Sequence, residues 1–239
     1  VAVADLGVPE AYDNCVVDLV ENDAPASLPL GTTFVTWTVT DNHGNTATAI
    51  QIVTVVDEEA PTITVPEAMN ISVDAGSCEA TAVDLGAPET FDNCGVDNLE
   101  NDAPTSFPVG TTTVTWTVTD ISGYSATATQ DVTVSDTEVP VITAPDAITV
   151  SADGGSSQAI TDPGMPITTD NCGVDIVESD APAAFPVGET TIIWTVTDIY
   201  GNTATAEQLV TVTDDEAPLI TAPADVTATA DAGACGAEA

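Results

Sequence analysis

Acidic side chains are the residues of this sequence most suited to chemistry, because they recur at fixed positions without any basic partner. The 239 residues include 39 Asp and Glu and no Lys or Arg, so the formal net charge is −39. Cations from solution must neutralise these carboxylates, and Ca²⁺ suits them because it accepts about six to eight oxygen ligands in flexible geometry. The acids that recur at spacings of 79 and then 78 residues are Asp57, Asp136 and Asp214; Glu59, Glu138 and Glu216; Asp13, Asp92 and Asp170; Asp18, Asp97 and Asp175; Glu21, Glu100 and Glu178; Asp23, Asp102 and Asp180; and Asp41, Asp120 and Asp198.

Three other markers share this spacing and define a repeat. They are the tripeptide Asp-Asn-Cys, a single tryptophan and a junction segment of the type Asp-x-Glu-x-Pro. Division at the junctions predicts a partial repeat over 1–57, full repeats over 58–136 and 137–214, and a truncated repeat over 215–239. Since both ends fall within a repeat, the parent chain is expected to continue in both directions. The markers are Asp13, Asp92 and Asp170 for the tripeptide, Trp37, Trp116 and Trp194, and Asp57, Asp136 and Asp214 for the junctions.

Strands with alternating polarity must position these acids. In the segment 113–119, Val and Trp residues occupy one face and Thr residues the other, which is typical of a half-buried strand. A turn at 120–123 and a second alternating strand that ends at Asp136 complete a β-hairpin. Shorter strand candidates precede the hairpin at 62–65, 70–73, 79–85 and 96–100. About seven short strands in each repeat predict an all-β fold, with tandem Ig-like β-sandwich repeats of about 79 residues in an elongated array.

Four motifs in fixed order resemble the hyalin repeat (HYR) family. They are the Asp-Asn-Cys-Gly box at 92–95, the run Phe-Pro-Val-Gly-Thr-Thr-Thr-Val-Thr-Trp at 107–116, the hairpin tip Thr-Asp-x-x-Gly-Asn and the junction Asp-x-Glu-Ala-Pro. The resemblance covers the whole chain and implies Ig-like domains of extracellular adhesive proteins. Long tandem arrays of this kind also resemble the large surface adhesins of gliding bacteria of the Bacteroidota type.

The resemblance implies a disulfide between Cys78 and Cys94, which would close a loop of about 15 residues and add about 3 kcal/mol of stability. Disulfides in turn indicate an oxidising, extracytoplasmic compartment. A second cysteine pair of the family pattern is absent, because Val65 and Ala128 stand at its positions in one repeat.

The other three cysteines have no evident partner in the sequence. The position expected to pair with Cys172 holds Ser157, so Cys172 is predicted to be a buried free thiol or a cross-link to another chain. By the repeat period, the partners of Cys15 and Cys235 fall outside the sequence.

A calcium site is expected at each junction between repeats. In an Ig-like sandwich the start of the first strand, the second loop and the last hairpin tip lie at the same end, so their acids should meet. Carboxylates that meet without a basic partner repel one another, and Ca²⁺ relieves that repulsion. The alternative is that these acids are simply solvated. The predicted ligands are Asp57, Glu59, Asp92, Asn93 and Asp120; Asp136, Glu138, Asp170, Asn171 and Asp198; and Asp214 and Glu216.

Composition argues against several classes of function. With no Lys or Arg, the chain cannot neutralise phosphate, so nucleic acid and anionic membrane surfaces are not expected as partners. No segment approaches about 18 consecutive apolar residues, so direct membrane insertion is not expected either. His43 is the only histidine and lies in a predicted turn, so no Ser/His or Cys/His couple can form. An enzymatic role is therefore not expected.

The leading interpretation is a stalk or spacer of a large extracellular or cell-surface adhesin, stiffened by divalent cations at its junctions. Its partners would be the neighbouring repeats of the same chain and an unknown adhesion target. One alternative is a self-assembling extracellular filament or sheath, which a free Cys172 would favour. A second is a calcium-dependent carbohydrate-binding module, against which the aromatic content of 4% argues.

Overall fold

The computed structural model describes residues 5–230 and 232–233. Within these residues the chain is all-β, as predicted, and contains no helix long and apolar enough to cross a membrane. It divides into two compact units, Val1–Asp136 and Thr137–Ala239. The strands are β1 (Val17–Asn22), β2 (Gly31–Asp41), β3 (Thr46–Val55), β4 (Thr62–Thr64), β5 (Met69–Ser72), β6 (Glu79–Thr81), β7 (Glu89–Phe91), β8 (Val96–Asn101), β9 (Ser106–Pro108), β10 (Gly110–Asp120), β11 (Ser125–Ser135), β12 (Val141–Thr143), β13 (Ile148–Ser151), β14 (Gln158–Ala159), β15 (Ile167–Thr169), β16 (Val174–Ser179), β17 (Phe185–Pro186), β18 (Gly188–Asp198) and β19 (Thr203–Thr213).

The long hairpin β10–β11 is the centre of the full repeat in the first unit. Its alternating sequence buries Val114, Trp116 and Val118 on one face and leaves the threonines on the other. Antiparallel pairing places Trp116 opposite Ala128. The tip bends at Gly123, whose φ of +95° is a left-handed conformation that glycine adopts without steric cost.

The remaining strands of this repeat build two layers around the hairpin. The main sheet has the order β5-β11-β10-β8, with β5 parallel to β11 and β8 antiparallel to β10. Two small sheets, β4–β7 and β6–β9, form the second layer. The core between the layers includes Trp116, Phe107, Val132 and Val134. The partial repeat that precedes it contributes a three-stranded sheet of order β1-β2-β3.

The second unit has the same arrangement of strands. Its main sheet has the order β13-β19-β18-β16, and two small sheets pair β12 with β15 and β14 with β17. Its core includes Phe185, Ile192, Trp194 and Val210. No strand occurs between Asp214 and the last described residues.

A buried glutamine holds the tryptophan of each full repeat in place. The indole Nε1–H of Trp116 donates to Gln130 Oε1 at 3.2 Å, and the amide of Gln130 donates to the carbonyls of Glu67 and Leu85 at 3.1 and 3.2 Å. Trp194 and Gln208 make the same bond at 3.0 Å in the second unit. The polar ends of both side chains are therefore satisfied inside the sandwich.

Three short strands of the full repeat differ from the sequence prediction. The predicted strand 79–85 ends at Thr81, because Ala82 adopts a φ of +50° that breaks the extended backbone. The short strands β7 and β9 were not predicted, since three residues are too few to show alternation.

Candidate metal centre

Three aspartates from separate loops meet at the end of the sandwich where the hairpin tip lies. Asp57 belongs to the segment before β4, Asp92 follows β7, and Asp120 ends β10. Strand pairing brings these points together, because Thr62 lies opposite Phe91 and Val96 lies opposite Asp120. One carboxylate oxygen from each aspartate lies within 4.8 Å of the other two. These three residues are called the first carboxylate group below.

Each loop fixes its aspartate with the backbone of the same turn. Asp92 Oδ1 accepts hydrogen bonds from the backbone N–H groups of Cys94 and Gly95, both at 2.8 Å. Asp120 Oδ1 accepts from the N–H groups of Ser122 and Tyr124 at 2.8 and 2.9 Å. Such turns are a common role of Asp, and here they consume one oxygen of each carboxylate.

The second oxygens of Asp92 and Asp120 are buried without hydrogen-bond partners. Asp120 is 1% exposed and Asp57 is 8% exposed, whereas Asp92 is half-buried. The Oδ2 atoms of Asp92 and Asp120 are buried and accept no hydrogen bond. The hydroxyl of Ser122 donates to Asp57 Oδ2 only at 3.4 Å. Buried carboxylates without a counter-charge are costly, and a divalent cation among the three oxygens would offset both the repulsion and the desolvation.

At the equivalent positions of the second unit, Asp170 and Asp198 each offer a carboxylate oxygen within 4.8 Å of the other, and this pair is called the second carboxylate group. The third equivalent aspartate, Asp136, is the last residue of the first unit and is 8% exposed. Asp170 Oδ1 accepts from Cys172 and Gly173 at 2.8 and 2.9 Å, and its Oδ2 is buried without a hydrogen bond. The Oδ2 atom of Asp198 differs, because it accepts a hydrogen bond from the side chain of Asn202 at 2.8 Å. Burial by itself would raise the pKa of Asp198, but hydrogen bonds from Asn202 and Tyr200 outweigh it and hold the pKa below its usual value.

The structure brings together only part of the predicted ligand set. Glu59 is exposed, and its backbone N–H donates to Asp57 Oδ1 at 3.2 Å. Glu216 accepts the backbone N–H of Gly155 at 2.8 Å, so its carboxylate is bonded to a turn of the same unit. Among the described residues, neither carboxylate group includes the predicted acids Glu59, Glu138, Asp214 and Glu216. Asn93 and Asn171 adjoin the groups in sequence, and their role as ligands stays a prediction.

Some residues at the site were missed from the sequence. Ser122 contacts Asp57, and Tyr124 and Asn202 occupy equivalent positions at the two hairpin tips. For Tyr124 and Asn202 the signal available was a fixed spacing, because each lies four residues after the aspartate of its hairpin tip.

The predicted disulfide between Cys78 and Cys94 is wrong. Cys94 is a free, exposed thiol, whereas Cys78 is disulfide-bonded. Cys78 follows β5, whose last residue pairs with Ser135 at the end of β11, while Cys94 precedes β8 near the hairpin tip. These ends are separated by the length of β11, roughly 35 Å at about 3.3 Å per residue, and a disulfide needs Cα atoms within about 7 Å.

The prediction that Cys172 is a free thiol or a cross-link to another chain is also wrong, because Cys172 is disulfide-bonded within this single chain. Cys15 is free and exposed, and Cys235 lies outside the described residues. The pKa of the Cys94 thiol is raised by desolvation and by the nearby Asp57 carboxylate, with which the thiol forms a hydrogen bond. A raised pKa keeps this thiol protonated and slows its oxidation.

Alkylation of the folded, unreduced chain followed by peptide mapping is expected to modify Cys15 and Cys94 and to spare Cys78 and Cys172. Reduction in denaturant before alkylation should then expose the latter two. Modification of Cys78 without reduction would contradict this assignment.

The fold and the repeated aspartate groups define a tandem β-sandwich repeat protein. The sequence model of the HYR domain matches residues 56–134 and 135–212, and the chain belongs to the HYR domain family. This confirms the resemblance that the four sequence motifs indicated.

Two proteins of similar sequence are longer than this chain. It is 34% identical over 224 residues to hyalin of Lytechinus variegatus, an alignment that covers 87% of this chain and 42% of that protein. It is also 34% identical to hyalin of Strongylocentrotus purpuratus, where 74% of this chain matches 16% of the protein. The chain therefore spans less than half the length of these relatives. Among solved structures, Drosophila N-cadherin EC1-4 is 12% identical, with a TM-score of 0.36 over 77% of this chain and 57% of that chain.

Proposed function

We propose that this chain is a spacer segment of a large extracellular or cell-surface adhesive protein, and that divalent cations stiffen its repeats at the carboxylate groups. The single observation that carries the proposal is the first carboxylate group, in which buried oxygens of Asp92 and Asp120 have no hydrogen-bond partner. The absence of Lys and Arg from the sequence leaves a cation from solution as the only source of full compensating charge.

The position of the group explains how a cation would stiffen the array. Asp57 lies in the segment between the partial repeat and β4, whereas Asp92 and Asp120 belong to the body of the full repeat. A cation bound to all three would tie the connecting segment to the sandwich. The connection would then resist bending, because bending would break bonds to the metal. Ca²⁺ is the proposed ion, since it tolerates irregular oxygen sets better than Mg²⁺ does.

The compartment and the class of function are supported by the cysteines and the family. Disulfide-bonded Cys78 and Cys172 fit an oxidising environment outside the cytoplasm. Membership of the HYR family supports a role as a repeated module of an adhesive protein, with other repeats of the same chain as its partners. A place in a bacterial surface adhesin of the Bacteroidota type and the absence of enzymatic activity remain parts of this proposal.

The filament alternative loses its main support. It depended on a free Cys172 that could cross-link separate chains, and that residue is already disulfide-bonded. No specific observation favours the carbohydrate-binding alternative.

Thermal unfolding in EDTA and then in millimolar CaCl₂, with MgCl₂ at matched ionic strength, tests the proposal. Calcium is expected to raise the melting temperature, because a ligand at a hundred times its Kd stabilises the folded state by about 2.7 kcal/mol. Magnesium should give a smaller shift.

Two variants separate a specific site from general charge screening. Asp120→Asn should remove a large part of the calcium shift, whereas Asp97→Asn, which changes an exposed acid of β8 outside both groups, should retain it. Identical unfolding curves in EDTA, calcium and magnesium would show that these acids are solvated and bind no cation, and the proposal would be abandoned.

A further inference from the structure

The two carboxylate groups differ in one hydrogen bond at the hairpin tip. The backbone is the same in both, because Asp120 Oδ1 accepts the N–H of Tyr124 and Asp198 Oδ1 accepts the N–H of Asn202, each at 2.9 Å. The side chain of Asn202 reaches back and donates to Asp198 Oδ2 at 2.8 Å. At the equivalent place, Asp120 Oδ2 is buried and accepts no hydrogen bond.

The partial repeat shows that asparagine at this position makes the bond in a second context. The side chain of Asn45 donates to Asp41 Oδ2 at 2.7 Å, and its backbone N–H donates to Asp41 Oδ1 at 2.8 Å. The bond to Oδ2 therefore follows from the turn geometry and the residue type. Tyrosine does not make this side-chain bond to Oδ2, because its side chain is longer and rigid. The side chain of Tyr124 is instead 43% exposed.

We propose that the residue four positions after the hairpin aspartate sets the cation affinity of each carboxylate group, with Tyr124 giving a strong site and Asn202 a weaker one. This inference rests on the proposed function, since it requires that the groups bind a cation. An ion at the first group meets an oxygen that has no other partner. An ion at the second group meets an Asp198 Oδ2 that already accepts the amide of Asn202, which occupies one of its lone pairs and compensates part of its charge.

Without a cation, the same hydrogen bond makes the second carboxylate group the more stable of the two. The amide of Asn202 partly compensates the Asp198 carboxylate, so the second group tolerates an empty site better than the first. An array with both residue types would therefore contain hairpin tips that depend on the cation and tips that do not. As the cation concentration falls, groups with asparagine at this position would release their cation first. Their hairpin tips would also lose less stability than tips with tyrosine at this position.

Calorimetric titration of the whole chain with CaCl₂ tests the inference. We expect two classes of site that differ about tenfold in Kd, the effect of a charge-assisted hydrogen bond of ordinary net strength. Asp120→Asn should abolish the tighter class and Asp198→Asn the weaker one, which assigns each class to its group.

Substitutions at the tip then change the affinities in opposite directions. Tyr124→Asn should weaken the tighter class about tenfold, and Asn202→Ala should strengthen the weaker class by a similar factor. Asn202→Ala should also lower the melting temperature in EDTA, so a gain of affinity accompanies a loss of stability, which a merely structural role would not produce. Asn45→Ala is the matched control, because it removes the same bond beside Asp41, which belongs to neither carboxylate group, and it should leave both classes unchanged.

The outcomes distinguish this inference from the proposed function. If CaCl₂ gives no binding heat and no thermal shift, both fail. If both classes bind with equal affinity and Tyr124→Asn and Asn202→Ala change nothing, the inference alone is overturned. A loss of the affinity difference with Ser122→Ala instead of Tyr124→Asn would also overturn it, because Ser122 is the other tip residue that contacts the first group.

Discussion

Replacement of Trp116 by alanine is expected to lower the free energy of unfolding of the first unit by about 3 to 5 kcal/mol. Trp116 is 6% exposed and packs against Phe107 and Val132 between the two layers of the sandwich. Loss of the indole leaves a cavity, and the paired strands on both sides limit how far the core can collapse into it. The substitution also removes the donor to Gln130 Oε1.

Urea unfolding followed by far-UV circular dichroism measures this loss. Trp194→Ala should have the same effect on the second unit, because Trp194 is 4% exposed and makes the equivalent bond to Gln208. Thr129→Ala changes an exposed side chain on the opposite face of β11 and should shift stability by no more than about 0.5 kcal/mol. A loss below about 1 kcal/mol for Trp116→Ala would show that the core does not depend on this side chain.

Replacement of Gln130 by leucine is expected to cost about 3 kcal/mol, although leucine is apolar and of similar size. The amide of Gln130 bonds three groups at once, the buried indole N–H of Trp116 and the part-buried carbonyls of Glu67 and Leu85. Leucine would leave the indole N–H without a partner, at a cost of about 1 to 3 kcal/mol, and would add a smaller cost at the two carbonyls, which water reaches in part. The gain in apolar burial would offset only part of this cost.

A double substitution separates the hydrogen bonds from simple packing. If the bond between Trp116 and Gln130 contributes as proposed, Trp116→Phe should cost less in the Gln130→Leu background than in the native chain, because the indole N–H has already lost its acceptor there. Equal costs in both backgrounds would mean that the bond contributes nothing. Urea unfolding of the four chains provides the cycle.

The glutamine was visible in the sequence but its role was not. Gln51, Gln130 and Gln208 each follow a repeat tryptophan by 14 residues. This recurrence indicates a shared role. A polar residue in a strand can, however, be either buried and hydrogen-bonded or exposed to solvent, and the sequence does not distinguish the two. The hairpin register, which sets the two residues within reach of each other across β10 and β11, is what assigns the hydrogen bond.

The candidate site was predictable in part, for a physical reason. The hairpin tip and the loop before β8 must lie together once β8 pairs with β10, so Asp92 and Asp120 could be placed from an Ig-like arrangement. The positions of the junction glutamates could not be predicted, because the direction of a side chain in an irregular segment depends on which neighbouring turn it contacts. Glu216 meets the N–H of Gly155 and stays outside the carboxylate groups.

The sequence by itself determined the repeat, the strand faces and the excess of negative charge. Spacing of 79 and 78 residues, alternation of Val and Thr, and the lack of Lys and Arg are properties of the chain alone. Only the tertiary structure decided which loops meet, since that depends on pairing between strands far apart in sequence. The parallel pairing of β5 with β11 puts Cys78 at the end of the sandwich opposite Cys94, and it excludes a bond that their short separation in sequence had favoured. The same long-range pairing buries Asp120 with an unpartnered oxygen, a charge that the sequence could count but could not place.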